Sequence, residues 1–219
     1  MKRKYTIEKH IKTLLSAMMA GALIAIAGTT YLYLKADHTI IGAFLFAFGL
    51  LCVVTLDYKL YTGRIGYIID KEKSYIIEIL WIILGNLLGS ILIASIIYLA
   101  NYEVIIQTAK TLVETKLSRN ILEIFGLSIM CGMMMYLGVD GYKRIENHVA
   151  KVVVNIFAVA IFVILGFEHS IANIYYFLLA NEYSWYMLFA FVVMLIGNGV
   201  GAVILNSIEK FGSLKKPNQ

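Results

Sequence analysis

The sequence predicts an all-α integral membrane protein of six spans, arranged as two inverted three-span repeats whose second and fifth helices are broken. Three observations predict it: an apolar composition, six runs of spanning length, and a motif that recurs 112 residues further on. Of the 219 residues, 60% are hydrophobic, 15% are charged and one is proline. A soluble chain of this size needs a polar coat that such a composition cannot supply.

A span needs about 20 apolar residues to cross roughly 30 Å of hydrocarbon. The first run covers 13–34. Its leader "MKRKYTIEKHIK" also has the look of a signal peptide, with a small-x-small site at Ala25-Ile26-Ala27, yet the run continues to Leu34 and reaches spanning length. The second run covers 40–69, the third 75–100, the fourth 120–140, the fifth 149–180 and the sixth 184–208. The second and fifth are too long for simple helices. Polar residues interrupt both: Asp57, Lys59, Thr62 and Arg64 in one, Glu168, His169 and Ser170 in the other.

The third run carries "GNLLGSILIAS" (Gly85 to Ser95) and the sixth "GNGVGAVILNS" (Gly197 to Ser207), which agree at the Gly-Asn pair, the next glycine and the last serine. Thr62 and His169 lie a similar distance apart. The chain therefore reads as one transmembrane domain over 1–219, with copies at about 13–100 and 120–208. Three spans per copy is an odd number, so the copies are inverted. Inverted repeats with one discontinuous helix each are a transport architecture, with the site near the midplane where the breaks meet. The small residues of the Gly-Asn motifs let helices approach closely, and plain packing is their simplest reading.

Orientation follows from Lys and Arg. Lys2, Arg3, Lys4, Lys9, Lys12, Lys71, Lys73, Lys143, Arg144, Lys151, Lys210, Lys215 and Lys216 fall on one side, against Lys35, Lys110, Lys116 and Arg119 on the other. Thirteen against four predicts cytoplasmic termini and a multi-pass protein of the cell (plasma or inner) membrane. The same clusters account for the net charge of +5 without nucleic acid. Cys52 and Cys131 lie inside apolar runs and form neither a metal spacing nor a disulfide framework. His169 has no second histidine or cysteine in its run, which argues against a metal site. His169 and Ser170 are neighbours in sequence and do not face each other on a helix, which argues against an enzyme.

A titratable side chain at membrane depth costs several kcal/mol and is usually turned inward. Glu168 and His169 are either a mutually satisfied structural pair or functional groups of a passage. An imidazole, with a reference pKa near 6.5, can hydrogen-bond a small anion and lend it a proton, so that a weak acid crosses the dry region uncharged.

At these residues the sequence closely resembles the formate/nitrite transporter family, channels and transporters for small monovalent anions. "GFEHSIAN" (166–173) is similar to the signature that holds the family's central pore histidine, here His169. "LYTG" (60–63) resembles its "LFTG", with Thr62 at the threonine facing that histidine. "AGALIAIAG" (20–28) and "KLSRNILEIFGLSIMCG" (116–132) look like its first-span motif and the segment that brings a lysine into the entrance vestibule. The resemblance covers essentially the whole chain, in order.

The resemblance implies a homopentamer of aquaporin-like architecture, with small monovalent anions of weak acids (formate, nitrite, hydrosulfide or similar), protons and the lipid bilayer as partners and no cofactor. It implies that His169 is a proton donor or relay, set in a polar network of Glu168, Lys116 and Asn173. From the residues alone, Lys116 also reads as an ordinary solvated loop lysine in the run Lys110, Lys116, Arg119. It implies constrictions at Phe46, Leu50, Leu60, Tyr61 and Phe162, each of which can also be packing. An aquaporin-like channel for neutral solutes is the alternative, disfavoured because paired Asn-Pro-Ala loops are absent and the one proline is Pro217.

Two departures bear on substrate. The family's Cys-Asn is Cys131-Gly132 here, which takes an amide away from the vestibule region. "DYKLYTGR" (57–64) places Lys59 and Arg64 about the break and a tyrosine where phenylalanine is usual. If Tyr61 points into the path, a wider or more polar constriction follows. Arg64 also reads as a simple anchor near the cytoplasmic side. The sequence does not choose between the formate, nitrite, hydrosulfide and lactate branches.

Overall fold

The computed structural model describes the backbone of residues 2–212 and the side chains of residues 7–212. Lys2, Arg3, Lys4, Lys215, Lys216 and Pro217, named above for orientation and architecture, have side chains outside the described residues. All regular structure among the described residues is helical: α1 (Lys2–Leu34), α2 (Thr39–Thr55), α3 (Tyr61–Arg64), a 3-10 segment (Ile65–Asp70), α4 (Tyr75–Leu99), α5 (Glu103–Leu117), α6 (Ile121–Arg144), α7 (His148–Ile164), α8 (Ser170–Ala180) and α9 (Trp185–Phe211). The α1 segment from Ile7, with α4, α6 and α9, is long and apolar enough to cross a membrane. The outward faces are apolar too, with Ile40, Leu80, Phe189 and Ile196 exposed, as a lipid-facing surface requires.

The two overlong runs are each divided. The second is α2, α3 and the 3-10 segment; the fifth is α7 and α8. Both first halves end in the same left-handed turn. Tyr58 N donates to the Val53 carbonyl at 2.9 Å around Asp57 (φ +52°), and Phe167 N donates to the Phe162 carbonyl at 3.0 Å around Gly166 (φ +66°). Such a six-to-one bond closes a helix end on a residue of positive φ, which glycine tolerates best and aspartate tolerably.

Unwound backbone at this depth must find partners inside the protein. One asparagine serves each break. Asn86 on α4 accepts from Tyr61 N at 2.9 Å and donates to the carbonyls of Lys59 (3.0 Å) and Ala17 (2.8 Å). Asn198 on α9 accepts from Ser170 N at 2.9 Å and donates to the carbonyls of Glu168 and Ser128, both at 2.8 Å. These are the asparagines of the two Gly-Asn motifs. The sequence reading assigned the motifs to packing; their asparagines hold the breaks, and their glycines do pack.

Close approach supports both clamps. A Cβ at Gly21 would sit 2.2 Å from the Asn86 carbonyl oxygen, and one at Gly132 would sit 2.1 Å from that of Asn198. This corrects the reading of Cys131-Gly132 as a lost vestibule amide. Position 132 abuts the α9 backbone and has no room for a side chain.

One element was not among the expected spans. α5 buries Ile105, Ile106, Ala109, Val113 and Lys116 along one stripe, with Lys110 and Glu114 outside it. That stripe is the mark of an amphipathic helix, and a search for continuous apolar runs passes over it. α5 packs on α8, nine of whose eleven residues are buried.

Candidate functional site

The break before α8 brings the chemistry to one place. His169 is the N-cap of α8, and its Nδ1 accepts from Ala172 N at 3.0 Å. An acceptor nitrogen carries no hydrogen, so the ring's proton is on Nε2. Nε2 lies 3.0 Å from Thr62 Oγ1, in the first turn of α3 just past the other break. Histidine and threonine are 2% and 1% exposed. The Phe162 ring stacks on the imidazole at 5.5 Å, and Phe46 meets Phe162 edge-on at 5.9 Å.

Beside the histidine, Glu168 is fully buried. Its Oε2 accepts from Lys116 Nζ at 2.5 Å and from Asn173 Nδ2 at 2.6 Å, while Oε1 pairs with Arg119. Asn173 lies one turn beyond the histidine on α8, and its N–H donates to the His169 carbonyl at 2.9 Å. Lys116 sits in the last turn of α5, and the link to α6 is fixed by an asparagine cap. Asn120 Oδ1 accepts from the N–H groups of Leu122 and Glu123, and Glu123 accepts from Asn120 N. Tyr186 donates to the Arg119 carbonyl at 2.6 Å and fixes the same corner. One carboxylate thus faces two cations, leaving the cluster positive.

This cluster borders a cavity of about 190 Å³, lined by Lys116, Arg119, His169, Asn173, Phe46 and Phe162 among others, with Lys35 at its rim. At the opposite end of the bundle a larger cavity, about 790 Å³, is lined by Arg64, Lys71, Lys143 and Arg144 together with Asp70, Glu78 and Asp140. Arg64 pairs with Asp57 at 2.7 Å at that mouth.

Of the residues singled out in the sequence, His169, Thr62, Glu168, Lys116 and Asn173 are brought together. Phe162 stacks on the histidine, and Phe46 packs against Phe162. Leu50 and Leu60 are buried (1% exposed each) and line neither cavity. Tyr61 departs from expectation. Its hydroxyl donates to the Leu195 carbonyl at 2.8 Å, and the ring borders a groove with Ile65, Ile196 and Gly199. The hydroxyl is therefore spent on α9 and does not widen the constriction beside Thr62.

Lys59 occupies the place in its break that Glu168 holds in the other, 109 residues later. It pairs with Glu78 at 2.6 Å and donates to Thr13 at 3.1 Å, so its charge is held against α1 and α4. Sequence reasoning missed Arg119 as a partner of Glu168. The signal was its closeness to Lys116: Arg119 lies just past the end of α5, where its N–H turns back to the Lys116 carbonyl at 3.4 Å.

Residues 1–210 match the sequence profile described as formate/nitrite transporter. The formate channel FocB of Escherichia coli (strain K12) is 27% identical over 184 residues, covering 75% of this chain; the chain spans 65% of the length of that relative. A solved pentameric formate channel with formate bound superposes with a TM-score of 0.79 at 25% identity, over 95% of this chain and 99% of the other. An ion channel of the same family superposes with a TM-score of 0.82 at 19% identity, over 95% and 92%.

Proposed function

We propose a function from one premise: the chain belongs to the formate/nitrite transporter family. It is a membrane protein of transporter descent, and in our reading each protomer passes small monovalent anions of weak acids between the two cavities. The observation that carries this is the His169–Thr62 pair, a hydrogen-bond donor and a hydroxyl 3.0 Å apart between two aqueous mouths.

An ideal Born estimate puts the cost of a bare carboxylate-sized ion in a low-dielectric interior at about 20 kcal/mol. Attraction by surface charges at about 1 kcal/mol each in water cannot offset this. The anion therefore crosses as the neutral acid. Lys116 and Arg119, with one Glu168 between them, leave a positive vestibule that gathers the anion, and Asn173 holds Glu168 in place. Thr62 and His169 meet the substrate next. The cap from Ala172 N shapes the histidine's part: with Nδ1 committed, Nε2–H offers a hydrogen bond to the incoming oxygen, and the proton comes from the wet vestibule. Should His169 itself relay the proton, α8 must give up that cap. Phe46 and Phe162 exclude water on one side of the pair, and we place Leu50 and Leu60 at a second constriction beyond it.

We read the chain as one transmembrane domain of six spans, as two inverted copies. The matched asparagine clamps and matched left-handed turns support that reading. Both termini are cytoplasmic in this reading, and the protein is a homopentamer, as the solved formate channel is.

The test is flux into proteoliposomes across a pH series with formate, nitrite, hydrosulfide, lactate and acetate, alongside glycerol and water. We expect saturable flux of one or more of the acids and neither glycerol nor water above the lipid background. Glycerol or water flux without acid flux would replace this reading with the aquaporin-like one.

A further inference from the structure

Asn155 on α7 is fully buried, and its side chain is only half satisfied. Nδ2 donates to the Gly138 carbonyl at 3.2 Å; Oδ1 is buried with no hydrogen-bond partner. That carbonyl also fixes which end of the amide is which, because two oxygens facing each other repel. A buried acceptor left without a donor is unfavourable enough to need a reason.

Its place in the fold supplies one. Asn155, Val159 and Phe162 follow at four and three residues along one face of α7, and Phe162 is the ring stacked on His169. Seven residues of helix put Asn155 about 10 Å from that ring, toward the larger cavity. Leu50 is beside it: a Cβ at Gly138 would lie 3.4 Å from Leu50 Cδ2 and 3.7 Å from Asn155 Nδ2. Gly138 is two residues from Asp140, which lines that cavity. The orphaned oxygen therefore sits between the midplane pair and the larger mouth.

We propose that Asn155 is a specificity-determining residue: its Oδ1 accepts a hydrogen bond from the O–H of the protonated monobasic acid as it passes Leu50. The inference rests on the weak-acid reading above. A carbonyl oxygen has nothing to offer a bare anion, while a neutral oxyacid brings the donor that this oxygen lacks. Asn155 thus favours the protonated form in the stretch between the midplane pair and the larger cavity, before the cations of that mouth are reached.

The test is formate uptake into proteoliposomes at one fixed pH, using variants that elute as the wild type does. Asn155→Ala and Asn155→Ser have nearly the same volume and differ by a hydroxyl acceptor. We expect Ala to fall about tenfold below wild type, the factor for one neutral hydrogen bond lost from the barrier, and Ser to stay within about threefold. If Ala and Ser fail to assemble, the isosteric pair Asn155→Val and Asn155→Thr makes the same comparison. Ala equal to Ser, or Ala faster than wild type because the passage is wider, overturns the inference and leaves the weak-acid reading standing. Failure of all four variants to assemble assigns Asn155 to structure and also overturns it. Wild-type vesicles no faster than empty ones overturn both together.

Discussion

Replacing Glu168 with glutamine removes one charge and almost no volume at a fully buried position. In the wild type, Oε2 takes Lys116 at 2.5 Å and Asn173 at 2.6 Å, and Oε1 takes Arg119. The amide can still accept with one end, but its NH2 end faces a cation's N–H groups, donor against donor. Lys116, with 8% of its side chain exposed, is left without a counter-charge. Removing one partner of a buried pair costs about 3–5 kcal/mol. Arg119, 30% exposed, turns to water more easily and adds little, so the lower figure applies. For a chain of this length, about 3 kcal/mol corresponds to a fall in Tm of about 6–12 °C. Thermal unfolding of the detergent-purified protein reads it directly. Glu168→Gln with Lys116→Met removes the stranded charge and should recover roughly half of the loss. A Glu168→Gln protein that unfolds at the wild-type temperature would refute the view that this carboxylate holds the corner together.

Three further outcomes follow from the packing. Gly132→Asn, which restores the family's Cys-Asn pair, should destabilise the protein, because the new Cβ meets the Asn198 carbonyl at 2.1 Å; thermal unfolding and yield of assembled protein check it. Asn198→Leu orphans Ser170 N and two carbonyls at about 1–3 kcal/mol each, and Asn86→Leu should cost a similar amount since its three bonds match; limited proteolysis at each break measures the loosening. Tyr61→Phe gives up one bond to Leu195, about 1 kcal/mol of stability, and leaves anion selectivity unchanged in the flux panel; altered selectivity would return the tyrosine to the path.

Much of this arrangement was legible in the residues. Apolar runs longer than a span, interrupted by "DYKLYTGR" and "GFEHSIAN", gave both breaks, because a polar group at membrane depth is too costly to be kept there without a role. A glycine at 166 is the residue a left-handed turn favours, whereas an aspartate at 57 reads equally well as a charge. The Gly-Asn repeat was visible, but its asparagines were passed over in favour of its glycines. Packing can be read from small side chains, whereas a clamp onto backbone 27 residues away depends on tertiary contact. Three of the charges that looked foreign to a pore found partners the sequence could not name. Lys59 went to Glu78, Arg64 to Asp57 and Arg119 to Glu168. Direction was illegible as well: Tyr61 and Thr62 are adjacent, yet one turns to α9 and the other to the histidine.

The central claim is that weak acids cross as neutral molecules past Thr62 and His169. The measurement closest to it is internal pH recorded together with formate uptake in vesicles of the wild type and of His169→Asn. We predict that wild-type vesicles acidify inside in proportion to the formate they take up, and that the variant loses both uptake and acidification. Formate uptake by the wild type without matching internal acidification, or uptake by the variant equal to that of the wild type, would contradict the account.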